Sequence, residues 1–259
     1  MLSLKNVSKM PSLKRKAVFE HARKSNRKNK NIILSISDIS KSFGGVKAVD
    51  RCMFEVKENT ITSLIGPNGA GKTTVFNIVS GLTNADYGTI RLLNKNITNL
   101  PAYKIAQAGI SRTFQLTKVF RNLSIKDNML IAKNTNETEM KKVLESVYLT
   151  KPLGTIASEL SYGQQRLLEI ARALLKPHSL LMLDEPTAGA NPKIRQELKQ
   201  ILRKLKKDGR TILIIEHDME FVMDISDEVI VLNEGKVLRA GKPKQIMNDQ
   251  KVLEAYLGK

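Results

Sequence analysis

The chain has 259 residues, of which 41% are hydrophobic, with one cysteine (Cys52) and 43 Lys+Arg against 25 Asp+Glu, a net charge of +18. Such a composition can bury a core, yet it excludes a disulfide framework and a cysteine metal cluster, and a reducing compartment fits it. No apolar run approaches the ~18 residues of a membrane-spanning helix, and His21, His178 and His217 stand too far apart in sequence to show metal-ligand spacing.

Residues 1–30 form a basic extension, with ten Lys and Arg against Glu20 alone and so half of the net charge. Three readings of it stay open: a solvated disordered arm, an arm drawn to an anionic membrane surface or nucleic acid, and a cleaved transit sequence. The folded domain is expected over residues 31–259. In "NIILSISDISKSF" apolar residues alternate and predict a first strand. "GG" at 44–45 is a turn, and "CMFEV" a second strand. "ITSLIG", 61–66, is a short apolar run of the kind a buried strand presents. "KTTVFNIVSGL" reads as a helix closed by Gly81, and "GTIRLLN" as another strand.

Residues from 116 to about 160 are polar and helical in pattern, and an inserted helical lobe is expected there. After it the periodicity predicts helices over 162–175, 192–207 and 218–225. Strands are expected at 179–183, 211–215, near 228–232 and near 236–240. Strands alternating with helices imply an α/β fold with a mainly parallel sheet.

Three motifs carry chemistry. "GPNGAGKTT", comprising Gly66, Pro67, Asn68, Gly69, Ala70, Gly71, Lys72, Thr73 and Thr74, satisfies G-x-x-x-x-G-K-[ST] between an apolar strand and a helix. Its backbone N–H groups can cradle phosphates, Lys72 can reach the β- and γ-phosphates, and the Thr73 hydroxyl can ligate Mg²⁺. "LLMLDEPTAGA" is an apolar strand ending in two carboxylates. There Asp184 can hold Mg²⁺ through water, and Glu185 can orient or deprotonate a water attacking the γ-phosphate. "TILIIEHDM" repeats the pattern and sets His217 at a strand's C-terminal edge, within reach of the same phosphate. A solvated acidic turn would explain one carboxylate after a strand, but poorly explains two.

With these motifs in place, "LSYGQ" at 160–164 resembles the signature of ATP-binding cassette (ABC) ATPases, usually written LSGGQ. The resemblance covers about Ile32 to Gly258. It implies a P-loop NTPase (RecA-like) core with an N-terminal antiparallel β subdomain and an inserted α-helical subdomain. It also implies that Phe43 stacks on adenine, that Gln115 senses Mg²⁺ and the γ-phosphate, and that Ser161, Tyr162, Gly163 and Gln164 close over ATP held by a second cassette. Tyr162 replaces the first glycine of the signature, and Asn191 in "AGANP" stands where the family often has aspartate. "GISRTFQLTKVFRNLSIKDNML", "AGANP" and "VLEAYLG" are similar to the ATPase subunits of bacterial branched-chain amino acid importers, although the helical lobe is shorter and the basic extension is not typical of them.

The resemblance implies Mg²⁺-dependent ATP hydrolysis driving transport. The partners implied are a second cassette, identical or not, separate transmembrane permease subunits docking near residues 116–130, and an extracytoplasmic solute-binding protein. The location implied is peripheral, on the cytoplasmic face of the inner membrane. The alternative is a soluble ABC ATPase acting on ribosomes or nucleic acid through the basic arm. One cassette without heptads argues against it, and no stable nucleic-acid binding is expected. Glu185 and His217 together argue against a catalytically silent cassette.

Overall fold

The computed structural model describes residues 32–257 apart from Leu116; the basic extension and Gly258 lie outside the described residues. Strands β1 (Ile32–Phe43) and β2 (Val46–Lys57) meet at the predicted turn, where Gly44 and Gly45 both have positive φ. With β4 (Tyr87–Leu92) and the two-residue β5 (Lys95–Asn96) they form a sheet in the order β2-β1-β4-β5. β4 runs antiparallel to both of its neighbours.

The second sheet has the order β10-β9-β3-β8-β7-β6. Its members are β3 (Ile61–Ile65), β6 (Ile110–Arg112), β7 (Leu180–Asp184), β8 (Thr211–Ile215), β9 (Glu228–Asn233) and β10 (Lys236–Gly241). Every pairing is parallel except that of the edge strand β10 with β9. β6 lies outside the sequence expectation because three residues are too few to show a period.

β3, β7 and β8 are buried along their whole length, which is why they read as continuous apolar runs. Within each strand the residues still alternate between faces. Leu181, Leu183, Ile212 and Ile214 enter one core, whereas Leu180, Met182, Leu213 and Ile215 enter the other. The second core is shared with the antiparallel sheet through residues such as Leu34, Ile36 and Val56.

Register decides where the chemistry goes. Leu64 of β3 and Asp184 of β7 both pair with Ile215 of β8. One or two residues further on, Gly66, Glu185 and Glu216–His217 therefore leave the sheet at one common edge, the C-terminal edge where α/β sheets place their ligands. From Gly66 the chain enters α1 (Lys72–Val79), and α2 (Ala102–Ala108) precedes β6.

The segment expected to be a helical lobe contains α3 (Ile125–Ala132), started by Ser124, and α4 (Glu137–Ser146), started by Asn136. Met129, Met140 and Leu144 on these helices join Leu167, Leu168 and Ala171 of α5 (Tyr162–Leu175) in one core. α6 (Pro192–Lys207) buries Ile194, Leu198, Ile201, Leu202 and Leu205, the spacing of one helical face. α7 (Met219–Ile225) lies beside it, and α8 (Pro243–Met247) and α9 (Gln250–Leu257) follow β10.

Candidate functional site

Gly66 and Gly71 bracket a loop that only glycine can build. Gly66 has φ 149 and a Cβ there would lie 2.1 Å from the Leu232 carbonyl oxygen; Gly71 has φ 97 and its Cβ would lie 2.4 Å from that of Ala48. Lys72, 5% exposed, folds back so that Nζ donates to the carbonyls of Gly66 (2.7 Å) and Pro67 (2.8 Å), closing the loop on itself. Burial lowers the pKa of this ammonium, and the nearby charge of Glu185 acts against that shift.

α1 then begins with no side-chain cap and no acid in its first turn. Helices α3 to α7 differ, each capped by a side chain: Ser124, Asn136, Ser161, Asn191 or Asp218. The first N–H groups of α1 thus remain available to an anion, with the helix dipole behind them. They open into a pocket lined by Ala48, residues 68–74, Glu185 and His217.

Three of the predicted side chains meet at Glu185. His217 Nε2–H donates to Glu185 Oε1 (2.9 Å) and Gln115 Nε2 donates to Oε2 (3.0 Å). Glu185 itself has φ +46, unusual for a residue with a side chain, and its N–H is anchored on the carbonyl of Ile215 at 2.9 Å. Such a held conformation aims the carboxylate from the strand end into the pocket.

Asp184 is buried beneath this group, and its partner is a residue that sequence reasoning missed. Arg112 NH2 donates to Asp184 Oδ2 (2.8 Å) while NH1 donates to Asn77 Oδ1 (2.9 Å) and Ser80 Oγ (2.7 Å). The guanidinium also lies against the Phe76 and Phe114 rings, with centroids at 5.4 and 5.2 Å. Burial lowers the Arg112 pKa and the bond to Asp184 opposes that shift.

Three further buried residues were missed. Arg166 and Glu169 on α5 bind the backbone around Gln115. Glu216 accepts from the N–H of Thr187 (2.8 Å) and of His217 (3.1 Å), joining the loop after Glu185 to the loop of His217; burial raises its pKa.

Ser161, Tyr162, Gly163 and Gln164 stand together at the start of α5 and share no bond with the P-loop in this chain. Ser161 Oγ accepts from Gln164 N (3.3 Å), and Gln164 Oε1 accepts from Ser161 N (3.1 Å), a reciprocal capping box. Gly163 lies in the first helical turn, where a Cβ would meet Ile194 Cγ1 at 2.6 Å. Tyr162, 44% exposed, lies over Gly189 of "AGANP", and Asn191 caps α6 by accepting from Ile194 N at 2.9 Å. Phe43, 51% exposed, ends β1 with the Lys41 ammonium 5.3 Å from its ring centroid.

The residues named for Mg²⁺ fit that ion chemically. Thr73, Gln115 and Asp184 offer only oxygen, and among the described residues no group of three His, Cys, Asp or Glu forms a ready-made cage. Mg²⁺ needs no such cage, since it is held by one or two protein groups together with substrate phosphates and water. Asp184 has one oxygen engaged by Arg112 and one without a protein partner among the described residues.

A family model described as "ABC transporter" matches residues 49–188. The high-affinity branched-chain amino acid transport ATP-binding protein BraF of Pseudomonas aeruginosa is 43% identical over 249 residues, covering 87% of this chain and 98% of that protein. The solved ADP conformation of MJ1267, an ATP-binding cassette of an ABC transporter, superposes with a TM-score of 0.81 at 32% identity, covering 88% of this chain and 99% of that one. The dimeric structure of MJ0796, a bacterial ABC transporter cassette, has a TM-score of 0.73 at 25% identity over 82% of this chain and 99% of that one.

Proposed function

This chain belongs to the ABC transporter family, whose cassettes hydrolyse ATP, and from that premise we propose that it powers the import of branched-chain or related amino acids. The name and 43% identity of BraF support the substrate class. The dimeric cassette of MJ0796 supports a working unit of two cassettes. No helix among the described residues is long and apolar enough to cross a membrane, and in this reading separate permease subunits carry the cargo across. In this reading the protein sits on the cytoplasmic face of the membrane, and a solute-binding protein delivers cargo from the other side.

The observation that carries the reading is the convergence of Gln115 and His217 on Glu185 beside an uncapped helix N-terminus. The N–H groups of Gly66 to Thr74 take the phosphates, and Lys72 exchanges its two carbonyl partners for phosphate oxygens. Glu185 orients the attacking water and accepts its proton, while His217 holds the γ-phosphate. Thr73, Gln115 and Asp184 would hold Mg²⁺, which when bound would offset the charge gathering on the phosphate oxygens. Phe43 supports the adenine. Ser161 and Gly163 do not line the pocket of their own P-loop and serve the nucleotide of the partner cassette.

Glu185→Gln keeps the size of the side chain and one acceptor oxygen, but turns the other oxygen into a donor and cannot accept the proton. Its kcat should fall by about 10²–10⁴, and ATP should trap a dimer visible by size-exclusion chromatography. Lys72→Ala should lose ATP binding. A Glu185→Gln protein that turns over at the parental rate overturns the assignment of the base. Leucine uptake into vesicles carrying the reconstituted permease tests the cargo.

A further inference from the structure

Arg166 is 1% exposed and does not line the nucleotide pocket, yet it touches the backbone of Glu185 and of Gln115, two of the three residues whose side chains meet at the site. NH1 donates to the Phe114 carbonyl (2.6 Å) and to Glu169 Oε2 (2.8 Å). NH2 donates to the carbonyls of Gln115 (2.7 Å) and Glu185 (3.2 Å). The other carboxylate oxygen of Glu169 accepts from the N–H groups of Phe114 (3.2 Å) and Lys118 (3.3 Å). One ion pair therefore grips the chain on both sides of Gln115 and the chain at Glu185.

The pair sits in the second turn of α5, the helix opened by Ser161. Only the planar fork of a guanidinium spreads donors toward four acceptors at once; an ammonium offers three protons from one atom. Arg166 Nε is buried with no partner among the described residues.

We infer that Arg166, braced by Glu169, is a positioning residue of the ATPase site: it fixes the spacing of Gln115 and Glu185 and makes that spacing follow the position of α5. The inference rests on the roles proposed for Glu185 and Ser161. On that basis, engagement of Ser161 by a partner's nucleotide reaches the hydrolytic carboxylate through one side chain.

The test is steady-state ATP hydrolysis by the full chain carrying Arg166→Lys, with binding of a fluorescent ATP analogue measured alongside. Arg166→Lys should lower kcat by about tenfold or more and leave KM and analogue affinity within about twofold. Its effect should not multiply with that of Gln115→Ala, because both act through the same contact. Parental kcat in Arg166→Lys, affinity falling in step with kcat, or losses that multiply with Gln115→Ala each overturn the inference.

Should Arg166→Lys not fold, Glu169→Gln decides. It retains an acceptor for Phe114 and Lys118 but removes the charge that braces Arg166, so lowered kcat at unchanged KM supports the inference and parental kcat overturns it. Glu185→Gln run in parallel separates the two claims. If it is slow and the Arg166 and Glu169 variants are parental, only the positioning role falls; if it is parental, the reading of the site falls.

Discussion

At the scale of single residues, the Arg112–Asp184 pair shows how this site manages charge in a dry place. Both side chains are buried, and a buried ion pair is weak evidence of net stabilisation because desolvation offsets the attraction. Removing one partner is a different matter, since it leaves the other charge uncompensated. Arg112 also binds Asn77, Ser80 and two aromatic faces, so its loss strands several groups together. Arg112→Ala should lower the unfolding free energy by about 3–5 kcal/mol, measurable by urea denaturation with an unchanged m-value. Arg112→Ala together with Asp184→Asn should recover part of that loss, because no buried charge then lacks a partner. A double variant no more stable than Arg112→Ala would locate the role of Arg112 in the aromatic contacts.

At the scale of elements, the start of α5 shows a glycine serving two masters. The sequence marks Gly163 as a phosphate contact, but its immediate neighbour in this chain is Ile194 of α6. A Cβ 2.6 Å from Ile194 Cγ1 forces the Ile194 side chain or one of the two helices to shift. Overpacking of this kind costs about 1–3 kcal/mol, against a gain of about 1 kcal/mol for alanine over glycine inside a helix. Gly163→Ala should therefore melt at lower temperature. In an Ile194→Ala background the sign should reverse, because only the helix preference remains. An equal loss in both backgrounds would remove packing as the cause.

What was legible in the sequence follows from the same element. The P-loop, Asp184–Glu185 and Ser161–Gln164 are contiguous strings whose chemistry is local, and they read directly. Arg112 and Asp184 are 72 positions apart, and Arg166 lies 52 from Phe114, so no local pattern ties either arginine to the site. An arginine three residues before glutamate on a helix ordinarily marks a solvated face; here both side chains are buried. One signal was present: the apolar neighbours Leu167, Leu168, Ile170 and Ala171 leave α5 little polar surface on which to place a charge. β6 escaped for the opposite reason, its three residues being recognisable only once β7 pairs with them.

At the scale of the whole molecule, the sheet buries its interior strands between two cores, and the charge is carried on the outer layer. There α6 and α7 are joined by a ladder in which Arg195 meets Asp218 (3.0 Å), Lys199 meets Asp224 (3.0 Å), and Arg203 and Lys206 meet Asp224 and Asp227. Isolated exposed pairs contribute little, but a network along two packed helices with the Lys199 stem covered is better placed. Hydrogen bonding to Lys199, reinforced by the charge of Arg203, lowers the Asp224 pKa below its usual 3.8. The reciprocal bond raises Lys199 above its usual 10.5. A depressed carboxylate stabilises the fold above its unfolded pKa and loses that contribution as pH falls through the folded value. A raised ammonium stabilises below its unfolded pKa and loses its contribution as pH rises through the folded value. The stabilisation should thus be whole between about pH 4 and 10 and fade at both ends. Asp224→Asn removes the acid limb and the larger part of the alkaline one, leaving Lys199 only the longer contact with Glu220 (3.6 Å). The difference in melting temperature between the parent and Asp224→Asn should be flat across that window, shrink at more acidic and more alkaline pH, and diminish in 1 M salt as screening shortens to about 3 Å. A difference that persists unchanged at acid pH would mean that Asp224 acts through packing or helix ends rather than through its charge.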